Sequence, residues 1–197
     1  MSSPFAAFAR YEWANGLPDG FLRSVNAVDP HDNAWARLER GELGVGAFDA
    51  SFAAESRALG HQVPGNDVLA LLAGEVRPEM VNALDAVKGA GYALACLTNN
   101  VADTPIGPAA VPEVIARFDV VVESALVGMR KPEPPFYELA CALLGVDPAA
   151  CVYLDDLGIN LKPARAMGMM TIKVEDPAVA IAELEAVLGL TLVGDPA

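Results

Sequence analysis

Apolar residues are spaced in two different ways along the chain, and the change comes near residue 76. Up to about Ala73 they recur at helical intervals, with little sign of strands. Phe5, Phe8 and Ala9 share one helical face, Asn33 to Arg40 carries Trp35 and Leu38, and Phe48 to Leu59 repeats the same spacing. Gly/Pro-containing loops at 16–20 and 60–65 separate these pieces, so residues 1–76 read as a small helical bundle. From Arg77 the pattern changes to short continuous apolar runs alternating with amphipathic stretches. The runs predict strands at Tyr92–Thr98, Asp119–Glu123, Cys151–Asp155 and Met170–Val174. Helices are predicted at Pro78–Ala90, Val111–Arg117, Pro134–Leu144, Asn160–Met167 and Pro177–Leu188. Such alternation implies right-handed crossovers and a parallel sheet with helices on both faces, placed in residues 77–197.

Composition narrows the function classes. The chain has 197 residues, 53% of them hydrophobic, and its mean hydropathy is +0.33, enough to bury a proper core. A formal charge of −13 and a pI near 4.4 oppose nucleic acid and anionic membrane surfaces as partners. No apolar run reaches the roughly 18 residues of a membrane span, and the first twenty residues lack a secretory pattern, so a cytoplasmic location is expected. Cys96, Cys141 and Cys151 are widely spaced in apolar surroundings, which suits reduced core thiols. His31 and His61 stand alone in loops and read as surface or hydrogen-bonded residues.

Three polar signals come directly after predicted strands. Asp155-Asp156 ends the run Cys151–Asp155 just before a Gly-containing turn, where parallel sheets place their chemistry. Adjacent carboxylates repel unless a cation sits with them, which points to a hard, oxygen-liganded ion such as Mg²⁺; the plain alternative is a helix N-cap. Thr98-Asn99-Asn100 offers a hydroxyl and backbone N–H groups suited to a phosphoryl oxygen, though alone it reads as a polar turn. Lys131, within Arg130-Lys131-Pro132-Glu133-Pro134, reads by itself as a solvated charge. Aimed at the carboxylates, it would keep them ionised and offset phosphate charge.

Thr-Asn, Lys-Pro and Asp-Asp, in that order and each after a strand, resemble the haloacid-dehalogenase-like (HAD) hydrolases. The segments 97–100, 127–134 and 154–165 look like the branch containing the N-terminal phosphatase domain of soluble epoxide hydrolase. The resemblance implies a Rossmann-like α/β core (77–197) with a helical cap (1–76), and Mg²⁺-dependent hydrolysis of a small phosphorylated metabolite through an aspartyl-phosphate. It implies that Thr98 and the backbone near Asn99 bind the phosphoryl group, and that Lys131 orients the nucleophile. Asp156 becomes a direct Mg²⁺ ligand, Asp155 supports the metal's shell, and Asn160 contacts substrate from the helix start. Homo-oligomerisation is left open.

One departure from that pattern stands out: the family's Asp-x-Asp nucleophile, at the end of its central first strand, has no counterpart in the sequence. Ser2-Ser3-Pro4-Phe5 resembles the stretch that the family carries just after this motif, and Asp19, Asp29 and Asp32 are not preceded by an apolar strand. Without that strand its neighbours keep unpaired backbone groups, at about 1–3 kcal/mol for each one buried. Either the start codon is assigned too late, or the chain is a degenerate member that needs a strand from elsewhere. The expectation is an enzyme inactive in this form; the alternative is a non-catalytic phosphate- or metal-binding module of the same fold. A receiver domain uses similar residues but places the acidic pair first and the lysine last. Dehalogenation is disfavoured by the Asp155-Asp156 pair.

Overall fold

The structure, a computed structural model, describes residues 5–72, 74–102 and 109–192. Its elements form two compact units. The Ser2-Ser3-Pro4 segment lies outside the described residues.

The first unit contains residues up to 75 together with 99–102 and 123–130. Its helices are α1 (Phe5–Ala14), α2 (Phe21–Ala27), α3 (Ala34–Glu39), α4 (Val45–Ala58), α5 (Gly65–Ala70) and the one-turn α8 (Ser124–Val127). On α4 the side chains at four-residue spacing, Phe48, Phe52 and Ser56, are all fully buried, so one face of the helix is core. Trp35 packs edge-on against both rings, with centroids 5.5 Å from Phe48 and 6.4 Å from Phe52. Burial of each large apolar side chain contributes about 1.5–3 kcal/mol, and this cluster is part of a core that also holds Phe21, Leu22, Val25 and Leu38. Polar side chains cap the starts of α3 and α2. Asn33 Oδ1 accepts from the Ala36 N–H at 2.8 Å and starts α3. The buried Glu12 of α1 accepts from the N–H groups of Gly20 and Leu22, both at 2.9 Å, and so caps α2 from outside it.

Helix α8 was not anticipated from the sequence. Its Ser124, fully buried, is held by Asn100: the Asn100 N–H donates to Ser124 Oγ at 3.0 Å, and Asn100 Oδ1 accepts from the Ala125 N–H at 3.1 Å. Gly41 permits α8 to approach. It has φ +73°, and a Cβ there would lie 2.5 Å from the Ala125 carbonyl oxygen.

The second unit contains 76–98, 109–122 and 131–192. It is an α/β arrangement of small sheets flanked by helices. Strands β1 (Ala95–Thr98) and β2 (Val120–Glu123) pair with each other, as do β3 (Val152–Asp155) and β4 (Met170–Lys173). The β3/β4 pair is parallel, with Val152 opposite Met170 and Asp155 opposite Lys173. Helices α6 (Pro78–Gly89) and α11 (Pro177–Leu188) both begin with proline, and Asp176 caps α11 by accepting from the N–H groups of Ala178 and Val179. Ala83, Val87, Ile172, Ala180, Ile181 and Leu184 join these helices to β4 in one core. The remaining helices are α7 (Val111–Ile115), α9 (Pro134–Leu144) and α10 (Gly158–Ala166).

The strands are shorter than the apolar runs suggested. Before Ala95, the Leu94 N–H donates at 2.9 Å to the Asp119 carboxylate, which also receives Lys88 Nζ at 3.0 Å. The Leu94 carbonyl meanwhile accepts from the backbone N–H groups of Asp119 and Val120, and Tyr92 is exposed. The Leu94 N–H and Lys88 together hold the Asp119 carboxyl below its ordinary pKa. Among the described residues no helix is long and apolar enough to cross a membrane.

Candidate active site

The carboxyl end of β3 carries a buried polar cluster. Its centre is Asp155, 7% exposed at the last position of the strand. Strand geometry sends Tyr153 and Asp155 to the same face. The Tyr153 hydroxyl donates to Asp155 Oδ2 at 2.8 Å, and Lys131 Nζ reaches the same oxygen at 2.9 Å. The other oxygen, Oδ1, accepts from the Leu157 N–H at 2.8 Å and from Asn160 Nδ2 at 3.0 Å. Four donors therefore surround one carboxylate, two at each oxygen. Burial by itself would raise the carboxyl's pKa, but the Lys131 ammonium and the donated hydrogen bonds prevail and hold it below the ordinary value.

A second tyrosine braces the cluster. Tyr137 of α9, fully buried, donates to the Asn160 carbonyl at 2.8 Å and meets the Tyr153 ring edge-on with centroids 5.3 Å apart. Burial first, and then the Asp155 charge, push both phenols up, so they remain neutral donors. Asn160 is itself buried and lies in the first turn of α10, which Gly158 opens.

Of the residues singled out from the sequence, Lys131, Asp155 and Asn160 are joined by direct hydrogen bonds. Asp156, the next residue along from Asp155, is exposed. Thr98 is half-buried at the end of β1. Asn99 belongs to the helical unit, where its Nδ2 donates to Glu39 Oε2 at 3.1 Å. Sequence reasoning missed Tyr153, Tyr137 and Glu39. For Tyr153 a signal existed: a tyrosine two positions before an acidic strand end shares its face.

Both oxygens of Asp155 are taken by neighbours, whereas Asp156 is exposed and could offer a carboxylate to a cation. Among the described residues no group of three or more His, Cys, Asp or Glu side chains is arranged to hold a metal. One carboxylate suits Mg²⁺, which keeps several waters and commonly takes one or two carboxylates plus substrate phosphate.

Comparison with known proteins identifies the family. Residues 17–168 match the family model described as haloacid dehalogenase-like hydrolase. Mouse bifunctional epoxide hydrolase 2 is 34% identical over 96% of the chain, which corresponds to 37% of that protein. The chain spans between 18% and 38% of the length of the mammalian relatives it matches. A sesquiterpene phosphatase of Aspergillus oryzae is 29% identical, covering 81% of each chain. A HAD family enzyme from Bacteroides thetaiotaomicron, solved with magnesium and inorganic phosphate, shares the fold with a TM-score of 0.54 at 20% identity, over 81% of this chain and 88% of that one. With the family model covering most of its length and the phosphatase-type segments in order along it, the chain belongs to the haloacid dehalogenase-like hydrolases.

Proposed function

We propose that this chain carries the phosphate- and cation-handling part of a Mg²⁺-dependent phosphatase for a small phosphorylated metabolite. The observation that carries the reading is the buried Lys131–Asp155 pair, 2.9 Å long, beside the exposed Asp156 at the carboxyl end of β3. Phosphoryl transfer is mostly positioning and charge neutralisation. Lys131, fixed by Asp155, offsets charge on the phosphoryl oxygens. Thr98 and the Asn99 backbone bind those oxygens at the end of β1. Asn160 holds Asp155 and steadies the start of α10. Asp156 would hold Mg²⁺, which when bound supplies further neutralisation of the phosphate. The helical residues 1–76 serve as the substrate-selecting cap and residues 77–197 as the core that handles phosphate.

The 197 residues contain no Asp-x-Asp, so the proposal includes that they do not turn over substrate by themselves. The two separate strand pairs, β1/β2 and β3/β4, support a bridging strand that brings the nucleophile. The similarity to a sesquiterpene phosphatase favours phosphate ester hydrolysis over dehalogenation. The test compares this chain with one carrying an added apolar strand that ends in Asp-x-Asp, using p-nitrophenyl phosphate with and without Mg²⁺. Turnover only by the extended chain is expected. Mg²⁺-dependent turnover by the 197 residues alone would show that the nucleophile lies within them. Phosphate binding without turnover even after extension would favour the non-catalytic module.

A further inference from the structure

In the helical unit, a buried carboxylate holds two chain segments that each adjoin a residue of the proposed phosphate site. Glu39, the last residue of α3, is 8% exposed. Its Oε1 accepts from Trp35 Nε1 at 3.0 Å, one helical turn back. Its Oε2 accepts from Asn99 Nδ2 at 3.1 Å and forms an ion pair with Arg130 Nε. The Arg130 side chain is only 14% exposed and also donates to the Pro30 carbonyl at 3.2 Å. Asn99 comes directly after Thr98, and Arg130 directly before Lys131.

A buried ion pair is a weak source of stability, because desolvation cancels much of its Coulomb gain, but it is demanding about geometry. Trp35 is in turn packed against the fully buried Phe48 and Phe52. Glu39 therefore ties that cluster to residues 99 and 130, each one peptide from a residue proposed to touch phosphate. Displacements of about 1 Å in such groups can cost two orders of magnitude in rate.

We propose that Glu39 is a positioning residue: it fixes the spacing of the Thr98-Asn99 and Arg130-Lys131 segments and thereby sets phosphate affinity. This role rests on the proposed phosphate site. The test measures inorganic phosphate binding by calorimetry at saturating Mg²⁺, on the full 197-residue chain, for wild type, Glu39→Gln, Trp35→Phe and Thr98→Ala, with each melting temperature recorded so that only the folded fraction is counted. Glu39→Gln is expected to weaken binding about tenfold among folded molecules. Trp35→Phe keeps an aromatic ring and removes one donor, so a smaller loss is expected, and it serves if Glu39→Gln fails to fold. A merely structural Glu39 would lower the melting temperature and leave the affinity of folded molecules unchanged, which overturns the proposal. Weakening by Thr98→Ala with none by Glu39→Gln or Trp35→Phe rejects the positioning role alone. Absence of phosphate binding by wild type, or no effect of Thr98→Ala, rejects the phosphate site itself and this role with it.

Discussion

Replacing Lys131 with methionine tests the centre of the site most directly. The substitution keeps much of the aliphatic stem and removes the ammonium that lies 2.9 Å from Asp155 Oδ2. At an effective dielectric near 20, two unit charges at that distance attract by about 6 kcal/mol, and desolvation of both partners cancels a large part of it. Breaking such a buried pair by deleting one partner costs about 3–5 kcal/mol, because the remaining charge is left uncompensated. Asp155 keeps three donors, from Tyr153, Leu157 and Asn160, so the lower end, about 3 kcal/mol, is expected. Urea unfolding at pH 7 measures it. The pH dependence sharpens the test. In the native chain the Asp155 pKa lies below its ordinary value, so its contribution is present above the unfolded-state pKa and is lost as pH falls through the folded one. Without Lys131, burial dominates and raises that pKa, so the variant's deficit shrinks as acid protonates Asp155. A deficit under about 1 kcal/mol at pH 7, or one that does not change with pH, would refute the account of Asp155 as a buried anion stabilised by Lys131.

Three further substitutions probe the helical unit. Gly41→Ala meets the Ala125 carbonyl oxygen at 2.5 Å with φ at +73°, so a loss of at least about 2 kcal/mol is expected. Gly46→Ala, in α4 with open space around it, should instead gain about 0.5–1 kcal/mol; equal effects of the two in denaturant titrations would contradict the close approach of α8. Tyr11 donates to Asp67 at 2.7 Å, and burial and then that carboxylate push its phenol up to about 12. A raised pKa means that its contribution is complete below the ordinary value of 10 and fades as pH climbs towards about 12. Tyr11→Phe should flatten that alkaline decline in thermal melts, and an unchanged profile would count against it.

Much of the second unit was legible because local signals agree there. Helices α6, α9 and α11 carry proline in their first turn, α9 and α11 end at a glycine, and β3 and β4 are short apolar runs between turns. Helix α8 was not legible: it is four residues long, and its anchors are tertiary, through Asn100 and the bare backbone of Gly41. The polar cluster shows the same division. Lys131, Asp155 and Asn160 stand in recognisable segments, whereas Glu39 meets partners 60 and 91 positions away, and no periodicity carries information over such distances. Asp119 illustrates a subtler case, since its side chain accepts the N–H of Leu94, 25 positions away, a pairing that no local pattern announces.

Asp155 and Asp156 are chemically identical and one peptide apart, yet mutation meets them differently. Truncation at 155 strands four donors at once, a cost that does not depend on what the pocket is asked to bind. At 156 a replacement meets water, and its cost in folding is small. With the cation proposed at the second aspartate, ion preference is then free to drift, or be engineered, while the first keeps the architecture still.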